Sequence, residues 1–320
     1  MIRVSQGTAS VCGLKKGILA AAPTTASIMI GEHCKQNCGF CAQSRSSQGK
    51  AGYLSRVPWP EFPKEEVISA LVKACADKVL HRVCLQVICT REAMTKAKDF
   101  IRSFREQSSA PVSISCKVNS LEEIAELLDL GVERIGLALD AATPELYRKI
   151  KGGNFKEKTE FLFAAAQRFP DHIATHLIVG LGETEEEMIR LIQQCYANGV
   201  RVGLFAFTPI RGTLMEKEAP PAMDQYRRVQ LARYILADDY HLGDKFVFQS
   251  GRLFDYGLSK QELADFIGEG TAFRTSGCPN CNRPFYNDRP GTHLFNYPQP
   301  LQSEELARAW KELKLGGLAE

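Results

Sequence analysis

Three cysteines near the N-terminus lie at a spacing that suits an iron–sulfur cluster. Cys34, Cys38 and Cys41 follow the pattern Cys-x3-Cys-x2-Cys, and Phe40 stands immediately before the third. Three thiolates on one short loop can hold three irons of a [4Fe–4S] cubane, which leaves the fourth iron open to another ligand. Zinc is the alternative metal, but a structural zinc site takes four protein ligands. The motif therefore predicts a redox cluster with one open coordination site.

A second cysteine motif lies near the C-terminus. Cys278 and Cys281 bracket Pro279 in a Cys-Pro-x-Cys turn, which can present both sulfurs to one metal site. A zinc ribbon would need another cysteine pair, and none is left once the first motif holds its own cluster. We therefore expect a second iron–sulfur cluster, with Cys12 as its third ligand and the Ser276 hydroxyl as its fourth. The alternative for Cys12 is an inert, buried thiol.

The composition is typical of a globular enzyme. The chain has 320 residues, is 44% hydrophobic and carries a net charge of +3, too little to indicate binding to nucleic acid or a membrane surface. An odd count of eleven cysteines indicates reduced thiols and a cytoplasmic location. The apolar run at 15–22 resembles a signal peptide, but Pro23 cuts it short. The non-enzymatic alternative is a zinc-bound scaffold.

The remaining cysteines lie in predicted elements of secondary structure. Four lie in apolar periodic runs, which are typical of buried, unreactive thiols: Cys75, Cys84, Cys89 and Cys195. Cys116 could be buried in the same way or could face the reactive site. No chemistry is therefore assigned to the first four.

Eight short apolar runs alternate with longer stretches of helical period, which indicates βα units. The runs are Ser27–Ile30, Val83–Ile88, Val112–Val118, Arg134–Leu139, Ala174–Val179, Val202–Phe207, Lys245–Gln249 and Thr271–Arg274. Amphipathic stretches such as Lys64–Ala76 and Ser120–Leu130 lie between them, and Ser120 and Thr184 each precede a glutamate by three residues, which predicts helix N-caps. The pattern predicts an α/β fold of the (β/α)8 TIM-barrel type.

The predicted barrel divides the chain into three parts. A lead-in at 1–25 precedes the barrel at 26–277, and a C-terminal extension at 278–320 carries the second cysteine motif and a short helix. Closure of the barrel would place the loops after its first and eighth strands side by side. Both cysteine motifs are therefore expected at the same mouth.

Several further segments make the chain resemble the radical S-adenosylmethionine (SAM) superfamily, and within it the biotin synthase-like branch. They are Cys41–Ser44, Gly131–Glu133, Leu139-Asp140, Thr143–Glu145, Ile178–Thr184 and Gln249–Arg252. The resemblance covers most of the chain. It implies that the open iron binds the amino and carboxylate groups of SAM, and that the reduced cluster cleaves SAM to a 5′-deoxyadenosyl radical.

The resemblance also implies roles for single residues in cofactor binding. Asp140 would bind the ribose hydroxyls, and Gly180 would let the backbone approach the adenine. Phe40, Glu183 and Arg252 are likewise expected in the cofactor site. A helix N-cap is the alternative for Asp140, and a carboxylate in the first turn of a helix is the alternative for Glu183.

The ligand set for a second cluster departs from that of biotin synthase. That family implies a [2Fe–2S] cluster held by three strand cysteines and an arginine. Cys116 and Arg252 match two of these positions, but the strand at 135–138 has no cysteine and His176 stands near the remaining position. With its Cys-Pro-x-Cys motif the chain instead resembles the biotin synthase-like subunit of the two-protein lipoyl synthase.

This closer resemblance implies two [4Fe–4S] clusters, one radical SAM and one auxiliary, and sulfur insertion into the octanoyl-lysine of a lipoyl carrier protein. It also implies a second lipoyl synthase subunit and an electron donor such as ferredoxin or flavodoxin, without nucleic acid or membrane partners. Two alternatives stay open: sulfur insertion into dethiobiotin, and another radical SAM enzyme with an auxiliary cluster.

Overall fold

The fold is built on an eight-stranded β-sheet with helices on its outer side. The computed structural model describes residues 1–50, 52–291 and 293–315, so the end of the predicted extension, 316–320, lies outside the described residues. The strands are β1 (Ile2–Val4), β2 (Thr25–Ile30), β3 (Tyr53–Leu54), β4 (Val57–Pro58), β5 (Glu61–Phe62), β6 (Arg82–Val87), β7 (Val112–Ser115), β8 (Val132–Gly136), β9 (Ile173–Val179), β10 (Arg201–Ala206), β11 (Val247–Gln249) and β12 (Arg252–Asp255).

Six strands of the main sheet are parallel neighbours, in the order β2, β6, β7, β8, β9, β10. β1 pairs antiparallel with β2, and β5 pairs antiparallel with β1. This arrangement confirms the predicted α/β class with a parallel sheet. Among the described residues the hydrogen-bonded order ends at β5 and at β10, so the ladders do not show a closed barrel.

Helices cover the outer face of the sheet. They are α1 (Gln6–Val11), α2 (Lys64–Ala76), α3 (Arg91–Arg105), α4 (Leu121–Asp129), α5 (Pro144–Ile150), α6 (Phe155–Arg168), α7 (Glu185–Ala197), α8 (Met223–Asp238), α9 (Lys260–Ile267) and α10 (Ser303–Glu312). α2 has its predicted bounds, and Ser120 and Thr184 cap α4 and α7 as expected. Of the helices that the structure describes, none is long and apolar enough to span a membrane.

The sheet curves around an interior, which we call the lumen. Residues of β2 and β10, the two ends of the parallel set, line the same cavity, which requires strong curvature. Val83 and Leu85 of β6 are fully buried in the outer core, whereas Cys84 and Gln86 face the lumen. The period-2 alternation of a strand thus separates apolar packing outside from polar groups inside.

The last two predicted strands are wrong. The run at 245–249 forms β11, which pairs with β12 in a separate hairpin. Its turn residues Ser250 and Gly251 have φ of 50° and 78°, and two successive positive φ values make the tight turn that reverses a strand. The run at 271–274 forms a 3-10 turn, Thr271–Phe273. Apolar runs this short do not distinguish strands from other buried segments.

Residues 274–288, the C-terminal segment, lie between β10 and the start of β2. On one side Ser276 Oγ accepts a hydrogen bond from the N–H of Leu204 in β10 at 2.8 Å. On the other side the side chain of Asn282 bonds to two backbone groups that precede β2, at 3.0 and 2.8 Å. Four residues of the segment have φ between +32° and +124°, which excludes a regular strand. The predicted extension is thus built into the gap in the sheet.

A buried ion pair joins α7 to α8. Arg228 donates to both carboxylate oxygens of Glu185, at 2.6 and 2.9 Å, and the two side chains are 2% and 6% exposed. Glu185 also accepts the N–H of Leu253 in β12 at 2.9 Å. Because both charges are removed from water, the pair depends on the presence of both partners.

Replacing Glu185 by alanine should lower the free energy of unfolding by about 3 kcal/mol, because it leaves Arg228 buried with a weaker partner. That partner is Asp224, 3.3 Å from Arg228. Urea unfolding measures the effect. The control is Glu92→Ala, which removes an exposed i,i+4 pair with Lys96 and should leave the midpoint unchanged. Equal midpoints for both variants would contradict the structural role of the buried pair.

Candidate active site

The first cysteine motif lies on the loop that follows β2, at the carboxyl ends of the parallel strands. The loop is clamped at Gly39, whose N–H donates to the carbonyl of Ile150 at 2.8 Å and whose carbonyl accepts the N–H of Met215 at 3.1 Å. Within the loop, Cys41 N donates to the carbonyl of Cys38 at 3.1 Å. These contacts hold the motif in one tight turn at the mouth of the lumen.

The three thiols of this motif, Cys34, Cys38 and Cys41, are the first triad. The pKa of Cys38 is raised to about 12 and that of Cys41 to about 11, chiefly by burial, and the neighbouring thiols of the triad contribute in the same direction. The ammonium of Lys151 acts in the opposite direction on both thiols. Metal binding needs thiolates, so a metal must displace protons here. The nearby cation favours that exchange.

A cavity of about 550 Å³, the loop cavity, lies in front of the first triad. Asp140 and Lys151 form an ion pair in its wall, with Nζ 2.6 Å from Oδ2. Asp140 has φ of 63° and does not cap a helix, because the N-cap of α5 is Thr143. The N-cap alternative for Asp140 is therefore wrong. Its carboxylate and the Lys151 ammonium offer a loop-cavity ligand one charge of each sign.

A second triad lies deeper in the lumen and consists of Cys84, Cys278 and Cys281. Burial raises the pKa of Cys84 strongly, and the thiols of Cys278 and Cys281 raise it further. Each sulfur also faces a polar side chain of the sheet: Gln86 Nε2 on β6 donates to Cys84 Sγ at 3.2 Å, Ser113 Oγ on β7 lies 3.5 Å from Cys278 Sγ, and the Thr25 hydroxyl on β2 lowers the pKa of Cys281. Donors aimed at sulfur favour the thiolate that a metal requires.

Cys12 is not part of the second triad, which corrects the sequence-based prediction. It is the C-cap of α1 and lies beside Cys75 of α2. Burial, followed by the effect of Cys75, raises its pKa to about 12. Because β1 runs antiparallel to β2, the chain enters α1 at the amino end of β2, where Ser5 N bonds to Ser27 O at 3.0 Å. The lead-in therefore carries Cys12 towards α2.

The sequence analysis missed Cys84. Its signal was the alternation in β6, where the polar residues Arg82, Cys84 and Gln86 take every second position between apolar ones. That pattern indicates a strand with a functional inner face. The apolar character of the run as a whole concealed it.

Two residues of the C-terminal segment flank the second triad. Ser276, predicted as the fourth ligand, lines the lumen next to Cys278, and its Oγ accepts the N–H of Leu204. The guanidinium of Arg283 stands 3.7 Å from the ring centroid of Phe205 and donates to the carbonyl of Ser276 at 2.7 Å. Arg283 lowers the pKa of Cys281 against the larger effect of burial. It is therefore the cation that faces the second triad.

A second cavity of about 260 Å³, the lumen cavity, connects the two triads. Phe40, Cys41, Leu54, Gln86 and Asp140 line both cavities and form the wall between them. Beyond this wall the lumen cavity is largely apolar and reaches all three thiols of the second triad. A molecule in the lumen cavity would lie between the two triads.

The chemistry of both triads suits iron–sulfur clusters. No three His, Cys, Asp or Glu side chains in the described part of the chain converge on a single metal ion. A cubane places each thiolate on a different iron, so its ligands stand further apart than those of one zinc. The Thr25 hydroxyl is buried beside Cys281 and makes no hydrogen bond within the ranges described. It is therefore free to donate to a bound cluster.

Comparison with protein families decides the superfamily to which the chain belongs. Residues 28–195, more than half of the chain, match the model of the radical SAM superfamily. The chain belongs to the radical SAM superfamily. Membership confirms the predicted resemblance and implies a [4Fe–4S] cluster and SAM as cofactors.

The relatives of this radical SAM protein carry different names. A biotin synthase of Persephonella marina is 26% identical over 194 residues, 57% of this chain and 54% of that enzyme. A lipoyl synthase of Buchnera aphidicola is 28% identical over 185 residues, 55% of this chain and 54% of that enzyme. A GTP 3′,8-cyclase of Limosilactobacillus fermentum is 24% identical over 278 residues, 80% and 74% of the two chains. The chain thus spans about half the length of the two synthases.

A solved structure shares the fold. The FeFe-hydrogenase maturase HydG from Carboxydothermus hydrogenoformans superposes with a TM-score of 0.53 at 16% identity, over 76% of this chain and 56% of the other. At this identity the likeness concerns the fold alone. The radical SAM protein therefore has a known architecture, while its substrate is a matter for proposal.

Glu183 and Gly180, two further predicted cofactor residues of the radical SAM protein, make contacts with other parts of the chain. Glu183 accepts the N–H groups of Gly180 and Leu181 at 2.7 and 3.0 Å, and it precedes the N-cap of α7 rather than lying in its first turn. A Cβ on Gly180 would meet Pro221 at 2.7 Å, so the close approach at this glycine is to Pro221. The roles of Gly180 and Glu183 towards adenine stay predictions.

Arg252 lines neither cavity, which corrects its predicted place in the cofactor site. Arg252 lies on β12, is exposed, and donates to the carbonyl of Lys314 at 3.0 Å. The tight turn at Ser250 and Gly251 reverses the chain outside the sheet, so the motif Gln249–Arg252 forms a surface hairpin. Arg283 supplies the cation of the lumen instead.

His176 lies in the wall of the lumen cavity and should make the fold sensitive to acid. Burial, partly opposed by Asp140, lowers the pKa of His176 from 6.5 to about 4. Between these values the unfolded chain binds a proton that the folded chain does not, so stability falls as the pH falls. We expect this group to cost about 2 kcal/mol of stability at pH 5 relative to pH 7.

Urea midpoints at pH 7 and pH 5 test this effect. His176→Phe should lose about 2 kcal/mol less on acidification than the parent protein. Exposed His81 serves as the control, because His81→Phe should keep the parent pH dependence. Identical pH dependence in all three proteins would refute the assignment.

Proposed function

We propose that this protein is a radical SAM sulfurtransferase that inserts sulfur into the octanoyl chain of a lipoyl carrier protein. The observation that carries the proposal is the placement of two cysteine triads on either side of one largely apolar cavity. One triad would serve SAM cleavage, and the other would supply sulfur. A substrate between them is within reach of both.

The lining of the lumen cavity supports an aliphatic substrate. Ile178, Phe205, Phe207 and Ile210 are among its walls. An unactivated C–H bond offers no acidic proton, so polar catalysis cannot break it and a radical cofactor is required. A buried apolar cavity also excludes water, which protects a reactive carbon centre.

In the proposed reaction the first triad holds the radical SAM cluster. Cys34, Cys38 and Cys41 would ligate three irons, and the cluster with SAM would supply the radical that removes a hydrogen atom from the substrate. Phe40 and Asp140 stand in the wall between the two cavities and shape the passage from SAM to substrate. Lys151 holds Asp140 through their ion pair and provides positive charge beside Cys38.

The second triad is proposed to hold the auxiliary cluster. Cys84, Cys278 and Cys281 would ligate three irons, with the Ser276 hydroxyl on the fourth. The hydrogen bond from Leu204 N to Ser276 Oγ would stabilise the ionised hydroxyl that binds iron. A hydroxyl is a harder and more labile ligand than a thiolate, which suits an iron that is lost when the cluster gives up sulfur.

The proposed partners follow from this reaction. They are the octanoylated lipoyl carrier protein, a second lipoyl synthase subunit, and a low-potential electron donor such as ferredoxin or flavodoxin. The biotin synthase and the lipoyl synthase among the relatives support sulfur insertion, whereas the GTP 3′,8-cyclase does not.

The decisive experiment is anaerobic incubation of the reconstituted protein with SAM, a reductant and an octanoyl-lysine peptide, followed by mass spectrometry. A gain of one or two sulfur atoms is expected, with the second subunit added for complete conversion. Cys278→Ala should keep SAM cleavage and lose sulfur transfer. Sulfur gain by dethiobiotin alone, or turnover without any sulfur in the product, would overturn the proposal.

A further inference from the structure

Gln86 makes a direct contact with the sulfur of the second triad. Its Nε2 donates to Cys84 Sγ at 3.2 Å, within the range of a hydrogen bond to sulfur. The two residues stand two positions apart on β6, so their side chains share the inner face of the strand. The contact is therefore built into the strand and does not depend on a loop.

The position of Gln86 is unusual because it lines both cavities. Its amide reaches the second triad from the wall that separates the two cavities. Ser113, which lies beside Cys278, lines neither cavity. Thr25, which lies beside Cys281, lines the lumen cavity but not the loop cavity. Gln86 thus combines contact with a triad sulfur and a place in the passage between the triads.

A hydrogen bond to a ligating sulfur has a known electrostatic effect. The donor offsets part of the negative charge of the thiolate, and the reduced cluster carries one more negative charge than the oxidised one. The bond therefore stabilises the reduced form more and raises the reduction potential. Arg283, which also lowers the pKa of Cys84, acts in the same direction.

We propose that Gln86 is a positioning residue for Cys84, and that its N–H···S hydrogen bond raises the reduction potential of the cluster held by the second triad. This inference rests on the proposed function, because it assumes that the second triad holds a cluster. When a sulfide of the cluster bonds to a carbon radical, one electron stays on the irons of the cluster. Gln86 would set how readily the cluster accepts that electron.

The test is a redox titration of the second cluster, followed by electron paramagnetic resonance. The parent protein for the comparison carries Cys38→Ala, so that only the second cluster contributes to the signal. In this background Gln86→Met removes the donor and should shift the midpoint potential to a more negative value. Gln86→Glu places a carboxylate at the same position and should shift it further in the same direction.

The matched control is Gln36→Met, which removes a similar amide contact to a thiol outside the second triad, 3.7 Å from Cys89 Sγ. It should leave the potential at the parent value. Loss of the cluster from Gln86→Met, in a protein that still folds by circular dichroism, would also support a positioning role for Gln86. Unchanged iron content and potential in both Gln86 variants would overturn the inference.

The same measurements separate this inference from the proposed function. If the Cys38→Ala parent retains about four irons, the second cluster exists and the Gln86 variants decide the inference. If the parent retains no iron while the unmodified protein binds about four, the proposed function fails before Gln86 is tested.

Discussion

Replacing Cys38 by alanine should abolish SAM cleavage and remove about four iron atoms per chain. Cys38 is the middle thiol of the first triad in sequence, and Cys41 and both members of the Lys151–Asp140 ion pair act on its pKa. A cubane held by two thiolates has no third protein ligand to keep it on the loop, so the site that binds SAM is lost. Iron analysis and chromatography of 5′-deoxyadenosine measure the two effects.

The control for this prediction is Cys195→Ala, which removes a fully buried thiol of α7 that lines neither cavity. It should keep its iron and its SAM cleavage. Formation of 5′-deoxyadenosine at the unmodified rate by Cys38→Ala would show that the first triad is not the cluster site.

The second large effect is expected from Cys84→Ala, which should lose sulfur transfer and the second cluster while SAM cleavage continues. In the proposed function Cys84 is the strand ligand of the second cluster, and without it Cys278 and Cys281 would supply only two thiolates. Sulfur transfer should fall to the detection limit, whereas 5′-deoxyadenosine should still form. Mössbauer spectroscopy counts the clusters, and mass spectrometry follows the product.

Cys12→Ala is the matched comparison, because Cys12 was the third ligand predicted from the sequence. The structure places it beside Cys75, so Cys12→Ala should keep both clusters and sulfur transfer. The reverse outcome, with loss in Cys12→Ala and none in Cys84→Ala, would restore the sequence-based ligand set. The two variants therefore decide between the sequence and the structure.

The charges around the second triad agree with an anionic cluster. Arg283 faces Cys281, and Arg134 lies within electrostatic range of Cys278. The Nε atoms of Arg134 and of Arg82 are buried and make no hydrogen bond within the ranges that the structure describes. Glu133 pairs with both guanidinium groups, so one carboxylate serves two buried cations. Thiolates bound to a cluster would add negative charge on the side of Cys278.

Local sequence patterns predicted much of the scaffold. The six parallel strands and α2 were placed by hydrophobic periodicity, because the period of a buried face is a property of a few consecutive residues. The N-cap at Thr184 was equally local, since it depends on one hydroxyl and on Glu187 three residues later. The strands at 245–249 and 271–274 failed because a short apolar run carries no information on its pairing partner.

The sequence by itself determined the first triad, because Cys34, Cys38 and Cys41 lie on one short loop and their spacing alone brings the sulfurs together. Only the tertiary structure decided the second triad. Cys84 and Cys278 are separated by almost two hundred residues, and they meet because the C-terminal segment enters the gap between β10 and β2. Contacts between residues so distant in the chain depend on the direction and curvature of the whole sheet, which no local pattern records.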